Sequence, residues 1–349
     1  MIDKIKNSFI RFKSSPAFTG FALFSVALIL NIIIRGPVDF FSAQSMGTLF
    51  SKNTPIILVT MAQAVLLISG TLDISIGIQL ALVNVVVIML PQELGMSIPM
   101  AWLIGILVSL GISAVGGFLV AVLRIPSLIA TFALTFVIMG INVLIMNVPQ
   151  GSVPKAYYSA YDSVLFGFLP VGAIIILGVA LMWVVVKKTK FGKHIYAVGA
   201  NPRNAFAAGI NPTVTIMKAF LFKGLITGIA GISLTLMIAS GNPLQVESYG
   251  LKSLAAGIIG GLGFGGWGSM ACGIFGAGFL VLIQNAVYYF FNFIQGFIDG
   301  FQITSYWQNF ISDLIVMLGL LMTTFTARAQ REALKQGLSR QIKGGKKNA

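Results

Sequence analysis

Asp73 stands in the stretch Ser69–Gly77, SGTLDISIG, among residues that are otherwise apolar or small. A carboxylate at membrane depth costs several kcal/mol unless it is paired, capped or wetted. The cheapest arrangement is a helix N-cap, the carboxylate accepting from the backbone amides of Ser75 or Ile76. Two roles fit. The favoured one is a structural cap at the cytoplasmic end of a helical hairpin. The other is a half-helix terminus lining a pathway, where Asp73, Ser75 and Gly77 would present backbone dipoles to a polar solute.

Little else in the sequence suggests reactive chemistry. Gly261–Gly266, GLGFGG, satisfies the pattern G-x-G-x-x-G. It follows an apolar helix rather than a strand, and the next acid, Asp299, is too distant to hold a ribose. The break suits close helix approach instead. No G-x-x-x-x-G-K-[ST] occurs, since Gly192-Lys193 is followed by His194 and Gly345-Lys346 by Lys347, so no P-loop binds ATP here. Cys272 and His194 are the single cysteine and histidine, too few for a disulfide or a metal cluster. No nucleophile–base pair supports an enzyme. Only Asp73 and Asp313 come close to the apolar runs, both expected near an interface. So few charges suit a neutral, hydroxylated solute, with energy entering from outside the chain.

These residues must be positioned by membrane helices. Hydrophobic residues make up 57% of the 349 positions and charged residues 9%, far below the level of a soluble domain. The expected fold is an all-α polytopic membrane protein with about ten spans. Their expected positions are 17–34, 53–70, 78–90, within 94–123, 126–146, 167–186, 215–240, two within 254–298 separated by the break at 263–269, and 307–325. Residues 1–16 form a basic N-terminal segment, 17–326 one transmembrane domain, and 327–349 a basic tail. The net charge of +14 comes from loops and tails, with no basic domain face for nucleic acid. Arg124, the 187–203 cluster, both termini, Lys218 and Lys223 fall on one side; Arg35, Lys52, Lys155 and Lys252 fall on the other. By the positive-inside rule both termini are cytoplasmic. The layout is compatible with an inverted repeat of spans two to five and seven to ten.

The longest polar interval within the apolar body, Lys187–Asn211, belongs to a cytoplasmic loop at 187–214. It carries five basic residues and no acid, and Pro202–Ala208 reads as a short helix closed by Gly209. A short helix on the basic side, held between two spans, suits a membrane protein that takes a push from a soluble partner.

At this point the residues resemble a known family, the permeases of bacterial ABC sugar importers of the ribose/xylose/galactose type. SGTLDISIG is similar to the family's S-G-I-D-L-S-V-G element. TKFGKHIYAVGAN (189–201), with Ala205 and Gly209-Ile210-Asn211, resembles its T-R-x-G-R-x-I-Y-A-x-G-G-N…A…S-G-I-N coupling element. Ala255-Ala256 with Gly260-Gly261 resembles its A-A-x-x-x-G-G segment, and Tyr306-Trp307-Gln308 its Tyr-Tyr-Gln. The resemblance covers about residues 45–325.

It implies a non-catalytic half-transporter. A second permease subunit, identical or a sister, would complete the pathway. A separate ABC ATPase, usually a fused double cassette, would hold the ATP-Mg, and a solute-binding protein would dock outside. Gly192, Gly199 and Gly209 would allow tight turns in the coupling element, Asn201 would cap its helix, and Ala205 and Ile210 would complete it. The alternative is an ion-coupled secondary carrier for a small polar solute.

Overall fold

The computed structural model describes residues 16–246, 248–295 and 304–326; the basic N-terminal segment and the tail from 327 lie outside them. Helices account for nearly all of the fold: α1 (Ala17–Arg35), α2 (Pro37–Phe40), α3 (Ala43–Ile68), α4 (Ile76–Leu94), α5 (Ile98–Gly117, continued by a π-turn at Phe118–Val122), α6 (Ser127–Ile145), α7 (Lys155–Tyr161), α8 (Val171–Lys188), α9 (Lys190–Ala200), α10 (Pro202–Ala207), α11 (Pro212–Ile238), α12 (Tyr249–Ile259), α13 (Met270–Gln295) and α14 (Ser305–Thr326). In lipid every backbone donor needs an internal acceptor, and helices meet that need locally. Among the described residues eight helices are long and apolar enough to cross a membrane, with α12 and part of α14 as shorter apolar helices.

Burial sorts the helices into a core and a rim. Every residue from Thr54 to Ile68 of α3 is buried. Helices α8, α11, α12 and α13 pack around α3, and α1, α4, α5 and α6 lie outside that layer. About a third or less of each span α1, α5, α6 and α8 is buried within the chain, which leaves apolar side chains such as Val137 (α6) and Leu181 (α8) exposed on their outer faces.

The helix ends differ from the sequence expectation in four places. Helix α3 begins at Ala43 rather than near 53, with Pro55 inside it. The 187–214 segment holds two helices, α9 and α10, rather than a loop with one. The connector before α8 contains α7 and a two-residue hairpin, Val164–Leu165 with Leu169–Pro170. The eighth span is made in two pieces, an irregular stretch over 239–246 and then the eleven-residue α12. At helical rise α12 covers only about 16 Å. The stretch nevertheless runs from one end of the bundle to the other: Gly241 pairs with Gln150, beyond α6, whereas Gly265 and Gly266 donate to Leu67 and Ile68 at the end of α3.

The glycines of the second break serve both turn and contact. Gly261, Gly265, Gly266 and Gly268 all have φ between 74° and 101°, where a side chain is strained. Before them Gly260 meets α13 backbone to backbone: a Cβ there would overlap the Cys272 carbonyl oxygen, and one on Gly20 of α1 would lie 2.5 Å from the Gly260 oxygen. Small residues thus let α1, α12 and α13 close on one another, as membrane helices do without a hydrophobic drive.

Candidate functional site

Residues 69–75 interrupt the α3–α4 hairpin: Ser69, Gly70 and Thr71 N still donate to carbonyls of α3, and beyond them side chains supply acceptors. Leu72 N donates to Ser127 Oγ (3.3 Å), Ile74 N to Thr131 Oγ1 (3.1 Å) and Ser75 N to Asp73 Oδ1 (2.8 Å). With its amide turned to match, Gln63 of α3 accepts from Asp73 N at 3.3 Å and donates to Asp73 O at 3.2 Å. Irregular backbone survives at membrane depth when protein groups satisfy it in this way. Asp73 does accept from the Ser75 amide, and from the Ser75 hydroxyl at 2.5 Å, but in a turn before the helix: the N-cap of α4 is Ser75, not Asp73 as expected.

The same carboxylate has a second role that the sequence reading missed. Lys223 Nζ lies 2.5 Å from Asp73 Oδ2, and the two side chains are 0% and 1% exposed. Lys223 also donates to Gln79 Oε1 and to Ser113 Oγ (3.3 Å). Gln79 Nε2 in turn donates to Ser113 Oγ (2.9 Å) and to Ser109 O (2.7 Å), and Ser109 Oγ donates to Gly224 O (2.7 Å). Four helices are thereby tied to the break, α4 by Gln79, α5 by Ser109 and Ser113, α6 by Ser127 and Thr131, and α11 by Lys223.

The expectation that Asp73 sits near an interface, and that Lys223 belongs to the flanking basic cluster, is therefore corrected. Lys223 lies about 17 Å along α11 by helical rise, close to mid-depth. Its signal was available, because a lysine well inside an apolar run of spanning length is an intramembrane charge that needs a partner. Lys218, five residues earlier, is exposed as the cluster reading expected.

The second element is the joint between α9 and the core. Thr189 caps α9 by accepting from Gly192 N, and Asn201 caps α10 by accepting from Arg203 N and Asn204 N, both at 3.0 Å. Gly209, at φ 81°, ends α10 in the left-handed region, as its position after the short helix requires. Gly192 and Gly199 are not turn residues. Both lie inside α9, where they permit close contact: a Cβ on Gly192 would overlap the Val186 carbonyl, and one on Gly199 would overlap the Ile68 carbonyl and lie 2.6 Å from Gly266 N. Gly266 N donates to Ile68 O at 2.8 Å, satisfying an orphan carbonyl at the end of α3, and Gly265 N donates at 3.0 Å to Leu67 O, which also accepts from Gly70 N. Tyr196 Oη donates to Gly268 O at 3.2 Å, with the Lys187 ammonium 5.6 Å from its ring centroid. Burial, with a smaller contribution from Cys272, pushes the Tyr196 phenol up to about 12, so it stays a neutral donor.

Of α10 and the turn after it, only Ala205 is buried and Ile210 half-buried, while Phe206 is 68% exposed. Replacing Asn201 with alanine removes the cap and should destabilise the α9–α10 segment by about 1 kcal/mol. Faster amide hydrogen exchange over 202–208, with α3 unchanged, would register it.

The model of the branched-chain amino acid transport system / permease component family matches residues 45–323 of this chain. The chain belongs to this permease family. Among its relatives, the galactose/methyl galactoside import permease protein MglC of Salmonella typhimurium is 26% identical, over 84% of this chain and 90% of its own. The fructose import permease protein FrcC of Rhizobium meliloti is 29% identical over 76% of each chain. The autoinducer 2 import system permease protein LsrC of Yersinia enterocolitica is 27% identical, over 86% of this chain and 80% of its own. No solved structure matches it significantly. The permease is a multi-pass membrane subunit with a transport role and no catalysis of its own.

The remaining residues singled out from the sequence fall into two groups in this permease. Ser75 and Gly77 lie at the buried start of α4, beside Asp73. Gly260 and Gly261 lie at the α1–α12–α13 crossing, where a Cβ on Gly261 would overlap the Pro16 carbonyl. Within the break at 69–75 Gly70 is exposed and Ile74 half-buried, and the other five residues are buried.

Proposed function

We propose that the permease forms half of the translocation pathway of an ATP-binding-cassette importer for a sugar or related neutral polar solute, and that α9 and α10 receive the push of a separate ABC ATPase. One observation carries the coupling half of this reading: α10 stands off the body with Phe206 exposed, while α9 behind it is wedged by Gly199 against the end of α3. An apolar ring on an exposed short helix is a knob in search of a groove, and the α9 wedge would pass its displacement into the central helix. The solute class is supported by the relatives, whose names specify galactose, methyl galactoside, fructose and autoinducer 2. A second permease subunit, a fused double-cassette ATPase carrying the ATP-Mg and an outer solute-binding protein complete the assembly in this reading.

Phe206→Asp tests the docking. The variant should fold and insert as the wild type does, because the side chain is exposed, and should lose most of the ATPase retained on purification. Full retention of the ATPase by Phe206→Asp would sink the docking assignment.

The Asp73–Lys223 pair favours a second reading, because ion-coupled carriers keep paired intramembrane charges. That reading predicts uptake driven by an ion gradient in liposomes holding the permease alone; the importer reading predicts none.

A further inference from the structure

Lys252 of α12 and Asp313 of α14 form an ion pair at 3.8 Å, and unlike Asp73–Lys223 it is open, with side chains 34% and 56% exposed. Contacts fix its depth. A Cβ on Gly250, two residues before Lys252, would overlap the Ile74 carbonyl oxygen, and Ile74 adjoins Asp73, which holds Lys223 at about the middle of α11. Lys252 therefore stands at the level of the buried knot, well away from either end of the bundle. Asp313 agrees, at about 12 Å from the start of α14 by helical rise.

A half-exposed carboxylate and ammonium at that depth cannot face acyl chains without a penalty of several kcal/mol. The buried knot shows the other solution available to this chain, in which the charges are enclosed on all sides. The open pair instead belongs against water. The segment that carries Lys252 also has the form tolerated beside an aqueous cavity, since 239–246 is irregular before α12 begins.

We propose that the α12–α14 face around Lys252 and Asp313 is the wall of the aqueous pathway, where a neutral hydroxylated solute meets one ammonium donor and one carboxylate acceptor side by side. The solute class rests on the function proposed above; the exposure of the wall to water does not. In the assembled transporter the second permease subunit would face this wall across the pathway.

Thiol labelling tests it, because Cys272, the chain's single cysteine, is buried. Asp313→Cys in the complex with its ATPase should react with a membrane-impermeant sulfonated thiol reagent, with or without ATP-Mg. It should react several-fold faster with that anionic reagent than with a cationic analogue, because Lys252 is left unpaired. Adding Lys252→Gln should abolish the preference. Leu251→Cys, which leaves the pair intact, serves as a second reporter, and Val137→Cys on the outer face of α6 should stay unlabelled. If Asp313→Cys and Leu251→Cys react only with a membrane-permeant maleimide, or with neither reagent in either nucleotide state, the wall assignment is overturned. Labelling needs no docking at Phe206, so failure of either proposal is visible separately.

Discussion

Lys223→Met leaves the Asp73 carboxylate unpaired in the middle of the bundle, and should destabilise the permease by about 3–5 kcal/mol, the usual cost of breaking a buried pair. Asp73→Asn should cost a comparable amount, because it strands the Lys223 ammonium between Gln79 and Ser113. The double variant Asp73→Asn/Lys223→Met removes both charges and should recover most of the loss, since neutral replacement of a whole buried pair is often tolerated. Thermal unfolding in detergent, taken as a double-mutant cycle, measures the interaction. A double variant no more stable than the singles would mean that the pair does not act as a unit. One that recovers stability but not uptake would place the charges in the transport cycle itself.

Gly199→Asp should produce the second large effect. Its Cβ has no room against the Ile68 carbonyl, and a carboxylate would face the end of α3, where the helix dipole is already negative. Overpacking alone costs about 1–3 kcal/mol, and the separation of α9 from α3 should abolish ATP hydrolysis stimulated by the loaded binding protein. ATPase retention measured beside hydrolysis separates the two steps: α10 and Phe206 remain available, so the complex should assemble without being stimulated. Stimulated hydrolysis at the wild-type level in Gly199→Asp would show that the α9 wedge carries no force.

Eight spans were legible because lipid leaves so few solutions for a backbone and apolar length identifies them; the broken span ending in α12 was not, because its helix is only eleven residues long. The short helix α10 was legible because it lies in an interval that is polar where everything around it is not, and Asn201 and Gly209 carry its start and stop; α9 before it was not. The bond from the Ser75 amide to the Asp73 carboxylate could be read from local spacing, since the two residues are two apart. The partner of that carboxylate could not, because Lys223 is distant in sequence and meets Asp73 only once α11 has packed against α3, α4 and α5. Gly192 and Gly199 were misread for a related reason. A glycine that makes a turn and one that admits a neighbouring backbone look the same in sequence, and only the approach of Ile68 distinguishes them.

Beside the Tyr196 side chain, the closest contact of the joint at the end of α3 is main chain against main chain, where the Gly266 amide meets the Ile68 carbonyl and a Cβ on Gly199 would overlap that carbonyl. A contact without side chains cannot be loosened or tightened by small substitutions, so it should tolerate glycine or fail. Under the proposed docking, re-pairing this permease with a foreign ATPase becomes a problem in the exposed surface of α10, Phe206 above all, while α9 behind it should be transplanted whole or left untouched.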